Sequence, residues 1–316
     1  MEEIIVSATG DGKRLDILLH ELHTDITRSQ LQKKIKSGMV LVNGHPATVH
    51  QWLKPGDVII IDESLVPPPT VSIKEPAKSK KSVTYTLDII DDTKEYLVIN
   101  KQSGLLVHEA PGNQEQTLVD LVLEKYPHTA KVGEDPMRPG IVHRLDKEVS
   151  GLIVVAKTQN MFDHLKNQFK NRIIRKEYLA LVHGAPQTPV GEINFSIDRS
   201  ETVDHKMAAV PAHEGRGRRA ITQFELIERL GNYSLIKLSP RTGRTHQIRV
   251  HLNAYGLPIV GDLVYRPKKL KSKLPMDRIF LHATYLGFND IANEWQDYSL
   301  ILPPKLQDII DSLKKN

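Results

Sequence analysis

The densest polar cluster in the chain is RPGIVHRLDKEVSGLIVVAKT, residues 138–158. Its second half, GLIVVAK, reads as a buried strand, so its first half is a loop carried at the edge of a sheet. Asp146 lies in that loop between Arg144 and Lys147, four residues before Ser150-Gly151. A carboxylate aimed from a loop that a strand anchors can act as nucleophile or base. The plainer reading is a turn cap paired with Arg144, and spacing alone leaves both open. A second cluster, SPRTGRTHQIRVHLNAYGLPIVGD, spans residues 239–262 and gathers Arg241, Arg244, Arg249, His246 and His251. Positive charge beside Ile248, Val250 and Leu252 suggests a wall for phosphates or for a buried carboxylate. The two histidines are five apart with no third ligand at metal spacing, so no metal site is expected.

The elements that would position these clusters are mostly strands. YTLDIIDD, YLVINK, GLIVVAK, KEYLALVHG, AITQFELIERL, YSLIKLSP and RIFLHATYLGF are short, rich in Ile, Val and Tyr, and end in Gly, Asp, Asn or Pro. The clear helices are TLVDLVLEKY, capped by Thr117, and QNMFDHLKNQFKN. A doubly wound nucleotide fold is excluded by the missing βα alternation and by the lack of GxGxxG after the first strand. The expectation is an α+β fold with a mixed, mostly antiparallel central sheet and peripheral helices.

Residues 11–61 predict a small separate α+β module. RLDILLHEL places Leu15, Leu18, Leu19 and Leu22 on one helical face. A second helix, ITRSQLQKKIKSG, capped by Thr27 or Ser29, stops at Gly38. The strand MVLV, an Asn43-Gly44 hairpin turn, a Lys54-Pro55-Gly56-Asp57 turn and the strand VIII follow. Arg14, Arg28, Lys33 and Lys34 lie on or beside the helices, where they could meet phosphates. Residues 62–84, with three consecutive prolines and then EPAKSKKS, read as a linker. The second domain is expected over 85–307.

Composition sets the frame. The chain has 316 residues, 40% hydrophobic and 26% charged, which excludes a chain that is mainly disordered. There is no cysteine, which removes disulfides, thiolate nucleophiles and Cys-based metal sites in one step. No signal-peptide core or 18-residue apolar stretch is present, so a cytoplasmic protein without membrane association is expected. The net charge is +5, but residues 206–273 hold fourteen Lys or Arg against four Asp or Glu. A basic region inside an otherwise acidic chain is the pattern of a face that meets a nucleic-acid backbone.

At this point the motifs themselves carry a resemblance. HRLDKEVSGLIVVAKT resembles the HRLDxxTSG signature of the pseudouridine synthases that modify large-subunit ribosomal RNA, the branch typified by RluA, RluC and RluD. KEYLALVHG is similar to that family's second motif, GRTHQIRVHL to its third, and NKQSGLLVHEAPGN to the stretch that precedes them. Residues 11–61 resemble the S4-type RNA-binding domain often found at the N-terminus of that branch. The resemblance implies isomerisation of specific uridines to pseudouridine in RNA, with large-subunit ribosomal RNA as substrate and a pre-ribosomal particle as partner. It implies no cofactor, and a monomer is expected.

Carried across by residue, Asp146 matches the catalytic aspartate, Tyr178 the tyrosine that stacks on the target base, and Arg249 the arginine that pairs with the carboxylate, with Arg244 nearby. Arg144 matches the arginine that fills the space left by the extruded nucleotide. Arg241, Arg244, His246, Arg14, Arg28, Lys33 and Lys34 are the other expected RNA contacts. The Tyr178 hydroxyl is a candidate acceptor for the C5 proton. Two departures stand out: Val149 where Thr is usual, and Gln102 where Pro is usual. Competing readings are an RNA-binding ribosome-assembly factor without catalysis, a synthase acting on transfer RNA, and a metal-dependent RNA hydrolase.

Overall fold

The computed structural model describes residues 2–7, 12–23, 31–32, 34–35, 37–49, 51–62, 85–109, 115–200, 206–211, 214–267, 270, 274 and 276–315. The chain divides into two compact units, Met1–Ser82 and Val83–Asn316.

The first unit is built on a four-stranded sheet in the order β1-β4-β2-β3, from β1 (Glu2–Ile5), β2 (Val40–Val42), β3 (His45–Pro46) and β4 (Val58–Ile61). Asn43 and Gly44 take φ values of 52° and 77°, the left-handed pair that a tight hairpin needs. The Asn43 amide also donates to Asp57 and its oxygen accepts from Val58 N, which locks the hairpin to β4. Helix α1 (Leu15–Leu22) buries Leu15 and Leu19 but leaves Leu22 at 52% exposure, so the apolar face is narrower than its leucine spacing suggests. Strand β1 lies ahead of residue 11 and pairs with β4, so the module starts earlier than the sequence pattern indicates. Four residues with two acids give too short an alternation to register as a strand. The second helix falls largely outside the described residues, as do Arg28, Lys33 and residues 63–84.

The second unit is an α+β fold on one ten-stranded sheet. Its strands are β5 (Ile89–Asp92), β6 (Tyr96–Lys101), β7 (Ser150–Ala156), β8 (Arg175–His183), β9 (Val190–Arg199), β10 (Met207–Val210), β11 (Arg218–Leu230), β12 (Tyr233–Pro240), β13 (Leu281–Asn289) and β14 (Trp295–Ser299). The order is β10-β9-β11-β12-β8-β13-β7-β6-β5, with β14 also on β13. Every pairing is antiparallel except β13 with β7. That parallel contact is short, because β14 takes over the same edge of β13 from Tyr285 onward.

Both faces of the sheet are covered, which explains the unbroken burial of β7. On one face, Tyr178, Ala180, Val182, Ile153, Val155, Ile236 and Leu238 pack with helix α2 (Leu118–Lys125) and with Ile248 and Leu252. On the other, Val98, Leu152 and Val154 meet Met161, Phe162 and Leu165 of helix α3 (Gln159–Lys170). Ile248 and Leu252 belong to helix α4 (Gln247–Ala254), and helix α5 (Pro304–Lys314) sets Leu306 and Ile310 against Leu181 and Phe280. Helix α5 runs past residue 307, so the second unit extends to the end of the described chain.

Candidate active site

Asp146 sits in the loop that leads into β7, and that loop is tied down on all sides. Leu145 and Val149 are buried in the core on either side of it. Ser103 Oγ donates to Glu148 O at 2.6 Å, and Gly104 N donates to Lys147 O at 2.8 Å. Lys101 is buried and points its ammonium at three carbonyls, those of Gln102, Leu105 and Lys147, at 2.7–3.1 Å. Burial, with the nearby Arg278 charge adding to it, pushes this ammonium down to about 7. Past the turn, Ser150 Oγ meets His282 Nδ1 and takes a hydrogen bond from Arg278, each at 2.7 Å. Gly151 has φ +113°, and a Cβ there would lie 2.2 Å from Ala283 O, so only glycine lets β7 and β13 close at this point.

His143 anchors the same loop from the opposite side, where its Nε2 accepts from Val154 N at 3.1 Å. That bond requires a neutral ring, and burial, with Lys176 beside it, pushes His143 down to about 3. Burial also holds His108, His251 and His282 at about 4. In the unfolded chain such rings protonate near pH 6.5, so the unfolded state binds more protons between there and pH 3–4. Stability is therefore complete above about pH 6.5 and is lost as the pH falls through that window. A melting series from pH 7.5 to 4.5 should show Tm falling steadily below pH 6.5; a flat Tm down to pH 5 would contradict the neutral rings.

The loop forms one wall of a cleft of about 860 Å³. Asp146, Tyr178, Arg249, Arg144, Arg241, Arg244 and His246 all line it. Arg249 comes from α4 and reaches Asp146 with Nη1 at 3.3 Å. Its stronger partner is one the sequence reading did not single out. Asp262, fully buried, takes Nε at 2.7 Å and Nη2 at 2.9 Å in a two-pronged pair. The same carboxylate accepts from the backbone of Val264 and Tyr265. Burial alone would raise Asp262, but Arg249 and these amides hold it below the usual carboxylate range. Burial alone would lower Arg249, but Asp262 and then Asp146 hold it well above the usual guanidinium value. The guanidinium is thus a fixed cation with one face already spoken for and one nitrogen left for Asp146.

Tyr178 lies on β8, buried except for the part that meets the cleft. Burial first, and the Asp146 charge second, push its phenol up, so it stays protonated at neutral pH. His246 starts α4 with φ 54° and engages the Tyr265 hydroxyl through Nδ1 at 2.8 Å. Gln247 fixes the preceding turn: its amide oxygen accepts from Thr242 and from Arg244 N, and its amide nitrogen donates to Ile221 O and Thr222. Arg144 and Arg241 are exposed, and Arg244 is half-buried. His251 is turned away, buried against Thr222 and Phe195.

The two departures flagged in the sequence fit their surroundings. Val149 is buried in an apolar cluster, and Gln102 contributes its carbonyl to Lys101. In the first unit, Arg14 forks onto the buried Asp16 at 2.9–3.0 Å, so its charge is already matched there. Lys34 is half-buried. No helix among the described residues is long and apolar enough to cross a membrane.

Two family matches cover this architecture. Residues 95–254 match the RNA pseudouridylate synthase family, and residues 13–59 match the S4 domain. An RNA pseudouridine synthase from Chloroflexus aurantiacus is 40% identical over 98% of this chain and 93% of the relative. A protein of Zymomonas mobilis named ribosomal large subunit pseudouridine synthase D is 36% identical over 97% of this chain and 95% of its own length. Among solved structures, human RNA pseudouridylate synthase domain containing 4 superimposes with a TM-score of 0.55 at 27% identity, covering 72% of this chain and 92% of that one. A cleft with Asp146, Tyr178 and Arg249 on its walls, a sheet of this type and these full-length relatives lead to one assignment: the chain belongs to the RNA pseudouridylate synthase family and is an RNA pseudouridine synthase with an S4 domain ahead of its catalytic unit.

Proposed function

We propose that the protein converts specific uridines of large-subunit ribosomal RNA to pseudouridine, with Asp146 as the nucleophile acting on a base turned out of its stack. The observation that carries this reading is Asp146 lining the cleft, held at 3.3 Å by an arginine that Asp262 keeps in place. The N1–C1′ bond breaks as the carboxylate engages the uridine, and uracil turns within the cleft. C5 then bonds to C1′, releasing the carboxylate and the C5 proton. No electron is gained or lost and no group leaves the RNA, so the residues of the cleft suffice for the chemistry.

Reaching the base requires unstacking it, at a cost of about a few kcal/mol that is smallest in loops. Arg144, exposed at the cleft, is the residue we assign to the vacated space. Tyr178 offers a flat face for uracil before and after it turns. Because the phenol stays protonated, any C5 proton its oxygen takes is matched by its own hydroxyl proton passing on, and Asp146 is the acid whose charge it feels. Ribosomal RNA as the substrate is supported by relatives named for the large subunit and by the S4 domain.

The direct test is pseudouridine mapping of ribosomal and transfer RNA from cells with and without the gene. Sites in large-subunit RNA that vanish with the gene support the reading. Loss confined to transfer RNA would replace its substrate, and no loss anywhere would overturn it. Tyr178→Phe separates the two roles of the tyrosine. Since the ring is kept, affinity for substrate RNA should stay within about twofold while kcat falls, whereas Tyr178→Ala should weaken binding by about 1–3 kcal/mol. Binding that collapses in the Phe variant would rule out the stacking role.

A further inference from the structure

The turn between α3 and β8 reads KNRIIRK from 170 to 176, with four cations and no acid. It closes through Arg172, in the left-handed region at φ 59°, and delivers Lys170, Arg172, Arg175 and Lys176 to the cleft. Three of the four are at the rim, where Arg175 lies over the Trp295 ring at 5.2 Å. Lys176 is different. It stands two residues before Tyr178 on β8 and so shares its face of the sheet, about 6.6 Å along the strand.

Among the described residues, the Lys176 ammonium makes no ion pair and no hydrogen bond, and it rests over the Phe169 ring at 5.2 Å. Burial pushes it down to about 8 with no carboxylate opposing that shift. An ammonium half out of water with no counter-ion pays desolvation that only an arriving anion repays, and an aromatic face offsets little of it. This is the opposite of Arg249, whose charge is matched twice over. The anion that must come close when a uridine within a chain stacks on Tyr178 is the phosphodiester beside that uridine.

We propose that Lys176 binds the phosphodiester flanking the target uridine, and that Lys170 and Arg172 extend this phosphate track to the rim of the cleft. The proposal rests on the uridine-in-RNA reading above. Lys176 is then a substrate-binding residue that fixes the register of the flipped nucleotide and takes no part in bond making.

The test uses the full-length protein and a large-subunit ribosomal RNA transcript labelled with tritium at uracil C5, whose release reports turnover. Lys176→Met should raise KM about tenfold with kcat reduced less than threefold, and should flatten the dependence of log affinity on log salt by about 0.7, as for one lost phosphate contact on a single strand. Lys176→Arg should restore both KM and the slope. An unchanged slope, or a fall in kcat at constant KM, overturns the proposal. A footprint on the wild-type chain decides the matter if the Met variant does not fold: the transcript should protect Lys176 from acetic anhydride at pH 8 at least fivefold, and no protection overturns it. Wild-type protein that binds and protects but releases no tritium would instead count against the uridine reading and leave the phosphate site standing.

Discussion

Asp146→Asn should reduce turnover by at least about a thousandfold while RNA affinity stays within about threefold. Asn has the size and planarity of Asp, so Leu145 and Val149 remain packed, and the loop keeps its ties to Lys101, Ser103 and His143. What it loses is the negative charge and one of the two carboxylate oxygens beside Arg249. The Asn carbonyl oxygen can still accept from Arg249, so the geometry is kept while the charge is lost. Tritium release measures turnover, and a filter or polarisation assay measures affinity. More than about 1% residual activity in a preparation free of wild-type protein would remove Asp146 as nucleophile. Loss of binding in parallel with activity would mean that its charge organises the RNA face rather than the reaction.

Strands such as GLIVVAK and YSLIKLSP were legible because apolar runs bounded by turn residues carry their own signal. Thr117 at the head of α2 was legible too, and its hydroxyl and Asp120 form the reciprocal cap that this spacing favours. Strand β9 carries the other strand signal, Ile193, Phe195 and Ile197 alternating with polar residues, which a search for apolar runs passes over, and β10 and β14 are too short to carry either. The gathering of Asp146, Tyr178 and Arg249 could be expected only through the resemblance, because they are separated by up to about a hundred residues and no local pattern links them.

What no motif reading supplied was the support of the site. Asp262 stands at the end of the basic cluster, and nothing in its spacing links it to Arg249. Its role depends on Gly261, at φ +79° with Arg278 O where a Cβ would be, which lets the loop pass closely enough to face α4. Lys101 reads as the polar end of a strand, yet it is fully buried with three carbonyls around it. The basic cluster at 239–262 reads as a positive wall for phosphates or for a buried carboxylate, and both halves of that reading have a place in the fold. Arg241, Arg244, His246 and Arg249 reach the cleft, Arg249 with its guanidinium paired to the buried Asp262, and His251 joins the core. Within α4, rotation of about 100° per residue sets Arg249 and His251 on different faces, while Arg241 and Arg244 precede the helix, and composition cannot reveal that division.

Asp262→Ala should be the most destabilising single change near the cleft. It strips a buried guanidinium of its two-pronged partner and leaves the amides of Val264 and Tyr265 without their acceptor. Breaking a buried pair from one side costs about 3–5 kcal/mol. For a unit of this size each kcal/mol moves Tm by about 2–4 °C, so the catalytic unit should melt about 10 °C lower. Any Asp262→Ala protein that stays folded should also turn over slowly, because the freed guanidinium can close on Asp146 with two nitrogens instead of one and cover the carboxylate we propose as nucleophile. The double variant Arg249→Met with Asp262→Leu separates these effects. With both charges gone, the part of the loss that comes from the unpaired guanidinium should return, while the part that comes from the Val264 and Tyr265 amides should not. Activity should not return with it, because Asp146 then has no cation to hold its direction. A Tm shift below about 2 °C in Asp262→Ala, or a double variant with near wild-type turnover, would show that the clamp on Arg249 is dispensable and that Asp146 is positioned by its loop alone.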